Sequence, residues 1–142
     1  MENMSNLKLL YLIDPYLPYE EMVDVPVKKK IASIKLSGFA ERIRWIYKTF
    51  QECTVQDIEN TLDFIYIDGL HSYGSVVKDI SLGVQLVKRD GVVAGHDYNP
   101  PWLGVIRAVN EYCEGRGLKL SVRSNWNFDP KVKGLDWWFI RH

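Results

Sequence analysis

The sequence predicts an α/β domain built on a mostly parallel sheet, and three observations carry that prediction. The segment LDFIYIDGLHSY, Leu62 to Tyr73, and the segment DGVVAGHDY, Asp90 to Tyr98, each begin with a short apolar run. Each run is too short for a globular helix, is rich in Val, Ile, Tyr and Phe, and ends in an acid-bearing signature, so each reads as a buried strand. Between them, Tyr73 to Arg89 spaces Val76, Val77, Ile80, Val84 and Val87 along one helix face. A strand–helix–strand unit makes its two strands parallel neighbours. Asp68 and Asp97 then stand at the carboxyl ends of adjacent strands, where open α/β sheets bind their ligands.

The remaining elements follow in order. Leu7 to Ile13 reads as the first strand, ending at Asp14-Pro15. Pro15, Pro18 and Pro26 mark the next stretch as a loop. Val27 to Ser37 suits a helix closed by Gly38 as its C-terminal cap. Ile43 to Thr49 is a second strand, and Thr54 can cap a short helix through Leu62 with Asp57 in its first turn. Gly104 to Gly115 carries Val105, Ala108, Val109 and Tyr112 on one helix face. Leu118 to Ser124 and Leu135 to Arg141 read as two closing strands; of Trp137 and Trp138 in the second, one is expected in the core and one on the surface. The sum is a Rossmann-like three-layer sandwich with an antiparallel last strand, in a single domain spanning residues 1–142.

Composition narrows the classes of function. Of 142 residues, 46% are hydrophobic, and a domain of this length buries roughly 68–70% of its unfolded surface. Eighteen basic and eighteen acidic residues cancel, so no global field favours nucleic acid or an anionic membrane. Lys28-Lys29-Lys30 reads as a solvated helix face. Cys53 and Cys113 cannot build a disulfide framework and suit a reducing cytoplasm. The N-terminus has no signal-peptide pattern, and no apolar run approaches the roughly 20 residues of a membrane helix.

On its motifs the chain resembles the class I S-adenosylmethionine-dependent methyltransferases, and most closely the branch of sugar and macrolide O-methyltransferases and cephalosporin-hydroxylase-like proteins. YLIDPY matches the end of the family's second strand, LDFIYIDGLHSY the fourth, and DGVVAGHDY the fifth; GVIRAVNEY matches the following helix. Relative to the family the chain is N-terminally truncated, without the opening strand and its glycine-rich turn. Gly115-Arg116-Gly117 follows a helix and precedes a strand, so it is a cap and turn rather than a cofactor loop. The family's missing strand lies between the strands assigned to Leu7–Ile13 and Leu62–Ile67. We therefore expect Leu7–Ile13 to pair directly with Leu62–Ile67, the alternative being a homo-oligomer or partner chain that completes the sheet.

The chemistry concentrates at the two strand ends. Parallel strands lie about 4.8 Å apart, and two carboxylates at 4 Å repel by about 4 kcal/mol at an effective dielectric of 20. A cation, a shared proton or strong donors must relieve that repulsion. The resemblance implies that Asp68 and Asp97, with His96 beside them, ligate magnesium or manganese, and that His71 is the general base of a methyl transfer from S-adenosylmethionine to a hydroxyl. It gives Asp14, Thr49 and Asp68 to the cofactor. Tyr98 and Trp102, on a stiff loop with Pro100 and Pro101, suit stacking on a small-molecule substrate, with Trp126 as a further candidate. The plain alternatives are that Asp97 and His71 bond backbone groups in their turns and that Asp14 forms an Asp-Pro turn. A non-catalytic methyltransferase-like fragment, or pseudoenzyme, serving as an interaction module is the competing function.

Overall fold

The computed structural model describes residues 6–17, 24–54, 56–58, 61–124 and 135–142. The chain divides into two compact units, Met1–Ile58 and Glu59–His142. Trp126 and the rest of the closing loop lie outside the described residues.

The first unit holds two parallel strands, β1 (Leu10–Ile13) and β2 (Ile43–Ile46), joined in register from Leu10↔Ile43 to Ile13↔Ile46. Helix α1 (Val25–Lys35) starts with Pro26 near its N-terminus, where a missing N–H costs nothing. It ends at Leu36, whose N–H bonds back to Ala32, so the expected Gly38 cap is not used and Gly38 falls in a 3-10 turn, Ser37–Arg42. Val25, Ile43, Cys53 and Ile58 are buried. Around Thr54, among the described residues, the chain forms a turn rather than a helix: Asp57 Oδ2 accepts from the Thr54 amide at 2.8 Å, and Lys48 Nζ holds Asp57 Oδ1 at 2.7 Å.

The second unit is a four-stranded sheet of order β3-β4-β6-β5, with β3 at Leu62–Ile67, β4 at Val87–Gly95, β5 at Ser121–Ser124 and β6 at Leu135–Ile140. Strands β3 and β4 are parallel, and β6 runs antiparallel to both β4 and β5. Helices α2 (Tyr73–Leu86) and α3 (Leu103–Glu114) bury their valine faces in a core of Val76, Ile80, Val93, Val105, Val109, Trp137 and Phe139. Val87, expected on the helix, is instead the first residue of β4 and wholly buried. Trp137 is 1% exposed while Trp138 is half-buried, the core-and-surface split that strand alternation demands.

Two expectations need correction. Strand β3 is not buried on both faces: Ile65 and Ile67 pack toward Gly83 of α2, whereas Phe64 and Tyr66 point outward at 52% and 44% exposure. Nor does Leu7–Ile13 pair with β3, because its strand bonds β2 in a separate sheet.

Candidate active site

The site grows from the register of β3 on β4. Ile67 pairs with Gly95, and the His96 amide donates to the Ile67 carbonyl at 3.1 Å, so the two strands end together. Gly95 permits this: a Cβ there would sit 2.5 Å from Trp137 and 2.6 Å from the Ile67 carbonyl. Asp97 then adopts a left-handed backbone, φ 61°, which Asp tolerates better than most residues. The turn carries the Asp97 carboxylate to His71.

His71 Nε2 lies 2.8 Å from Asp97 Oδ2. A carboxylate only accepts, so Nε2 carries the proton and the neutral ring keeps its lone pair on Nδ1. Asp97 therefore sets the tautomer and orientation of a potential base, as the carboxylate does in a Ser-His-Asp triad. The other oxygen, Oδ1, lies 3.1 Å from His96 Nδ1, so two histidines share one carboxylate.

Three further contacts fix the loop that carries His71. Its ring stacks on Trp102 with centroids 3.9 Å apart. Ser72 caps α2 by accepting from the Ser75 amide. Gly104, at the start of α3, lies against the loop backbone: a Cβ there would collide with the His71 carbonyl and come within 2.7 Å of the Tyr73 nitrogen.

Asp68, His71 and Asp97 each offer a ligand atom within 4.8 Å of the others, so this trio fits a divalent cation. His96 is not part of that group, and its Nε2 faces Asp136 instead. The small cavity at the strand ends is lined by Asp68, Gly69, Leu70, His71, His96 and Asp97, among others. Leu70, which lines this cavity, stands 66% exposed, and a lone Leu in a loop gives no periodic signal in the sequence.

The other expected site residues fall as follows. Trp102 is part of the site through its stack on His71. Tyr98 packs against the core and donates its hydroxyl to Asn110 Oδ1 at 2.7 Å. Asp14 follows β1 in the first unit and spends Oδ1 on the Tyr16 amide at 2.6 Å. Thr49, also in the first unit, gives both its amide and its hydroxyl to Glu52 Oε2, at 2.8 and 2.7 Å, which closes a 3-10 turn.

Residues 3–98 match the family model described as a methyltransferase domain. No curated protein matches the chain in sequence. Among solved structures, an rRNA methylase from Streptococcus thermophilus superposes with a TM-score of 0.63 at 15% identity, over 94% of this chain and 74% of that one. A Streptococcus mutans methyltransferase in complex with SAH gives 0.59 at 11% identity, over 95% and 77%. CalS11, a TDP-rhamnose 3'-O-methyltransferase of calicheamicin biosynthesis, gives 0.57 at 13% identity, over 90% and 57%. At these identities the likenesses show the fold.

Proposed function

This chain belongs to the methyltransferase-domain family, and from that premise we propose that it takes part in S-adenosylmethionine-dependent methyl transfer to a hydroxyl of a sugar or other small molecule. The observation that carries the reading is the His71–Asp97 pair at the carboxyl ends of β3 and β4. S-Adenosylmethionine supplies an electrophilic methyl group when bound. The acceptor must lose a proton as its oxygen attacks, and His71 Nδ1 is the lone pair available to take it. Asp97 stabilises the imidazolium that results, and Trp102 keeps the ring plane fixed. Leu70, on the cavity wall, offers apolar surface for a ring-bearing acceptor. The CalS11 likeness agrees with a sugar acceptor but is one of several acceptor types on this fold.

A metal-assisted version has its own support in the clustering of Asp68, His71 and Asp97. Those three residues would hold magnesium or manganese, which lowers the pKa of a coordinated hydroxyl. Two free, buried thiols, Cys53 and Cys113, suit a reducing cytoplasm. No described helix is long and apolar enough to cross a membrane.

Calorimetric titration with S-adenosylmethionine and with S-adenosylhomocysteine tests the proposal. Saturable binding of both supports it. Absence of heat at millimolar ligand removes the enzymatic reading and leaves the interaction module.

A further inference from the structure

His96 sits between two carboxylates. Its Nδ1 is 3.1 Å from Asp97 Oδ1 and its Nε2 is 4.0 Å from Asp136 Oδ1. The same Asp136 oxygen accepts a hydrogen bond from the Tyr66 hydroxyl at 2.6 Å. These residues come from separate strands. Tyr66 pairs with Ala94, which pairs with Trp138, and Asp136 lies two residues from Trp138 on that same sheet face. Tyr66, Asp136, His96, Asp97 and His71 therefore stand in a row of polar side chains, at hydrogen-bond distance except where His96 Nε2 approaches Asp136 to 4.0 Å.

We propose that Tyr66 and Asp136 are positioning residues of the active site: they fix the His96 ring so that its Nδ1 occupies Asp97 Oδ1 and leaves Oδ2 to His71. The inference rests on the reading that His71 and Asp97 serve methyl transfer. A carboxylate with one free oxygen can rotate about its terminal torsion, which is broad and roughly two-fold. Occupying Oδ1 removes that freedom, so the His71 ring inherits a single orientation. Tyr66 is the donor that holds Asp136 in place, its hydroxyl 2.6 Å from Asp136 Oδ1. Supporting residues of this kind, separated from the reacting group by intervening side chains, set its geometry without touching substrate.

Tyr66→Phe and Asp136→Asn test the proposal in the full chain at one fixed pH. Long-range proton–nitrogen spectra report the ring nitrogens of His71, His96 and His142, the three histidines of the chain. Both variants should shift the His96 and His71 signals and leave His142, which lies at the end of the chain, in place. With a working acceptor, kcat should fall about 10–100-fold at unchanged KM, the scale seen for outer-shell partners of metal-site histidines. Unmoved His71 signals in both variants, or unchanged kcat in an active enzyme, would overturn it. Shifted rings in a protein that transfers no methyl group uphold the positioning line and refute the proposed reaction instead.

Discussion

His71 Nε2 donates to Asp97 Oδ2 across 2.8 Å, joining a loop after β3 to a residue two positions beyond the end of β4. The bond is partly buried, and Asp97 is the more shielded partner at 18% side-chain exposure against 32% for His71. Everything proposed about chemistry depends on that bond, and several consequences can be measured.

Gly104→Ala should disturb the site from outside it. The new methyl group collides with the His71 carbonyl, and backbone cannot swing aside as a side chain would. Overpacking of this kind costs about 1–3 kcal/mol, read as a lower urea midpoint at unchanged slope. An equally stable variant would show that the start of α3 approaches the His71 loop less closely.

A divalent cation held by Asp68, His71 and Asp97 stabilises the native state by mass action, by about 2.7 kcal/mol at a hundredfold excess over Kd. Manganese should therefore raise the melting temperature of the native chain, and Asp97→Asn should cancel the rise. A melting curve indifferent to manganese and magnesium alike counts against the metal-assisted version and leaves the His71–Asp97 pair as the working unit.

Asp57 gives the first unit a pH signature. The Lys48 hydrogen bond, aided by the Thr54 amide, lowers its pKa from 3.8 to about 2. The folded value is depressed, so the contribution is complete above 3.8 and lost as pH falls toward 2. The melting-temperature gap between the native chain and Asp57→Asn should be constant from pH 5 to 7 and close between pH 4 and 2. A gap that persists at pH 2 contradicts the assignment.

Both thiols should resist modification in the folded protein. Burial pushes Cys113 up to about 11 and raises Cys53 as well. Alkylation at pH 8 should be slow until denaturant is added, since the thiolate is the reactive form. Rapid labelling of the native chain at either position would contradict the packing described.

The pairing of Asp68 with Asp97 is legible because its signal is local. LDFIYID and GVVAGHD each join an apolar run to an acid, and the helix between them leaves one arrangement for the two strand ends. That logic puts Asp68 and Asp97 at neighbouring strand ends; His71 enters only through the family resemblance, and the structure groups it with them in place of the expected His96. The local signal could not show that Asp97 spends its second oxygen on His96, because which way a histidine ring turns depends on partners distant in sequence. Asp136 is 40 residues from His96 and arrives through the antiparallel register of β6, which no local pattern encodes. Gly104 was read only as a helix start, since close backbone approach leaves no periodic trace. The exposed outer face of β3 was missed for a related reason: Phe64 and Tyr66 are apolar enough to read as core on either face of a strand.

The most direct test of the central claim is S-adenosylhomocysteine release from S-adenosylmethionine, followed with hydroxyl acceptors for the native chain and for His71→Ala. The account predicts turnover by the native chain and a fall of about 10²–10⁴-fold in His71→Ala, the loss expected on removing one general base. Equal release by both proteins would contradict it.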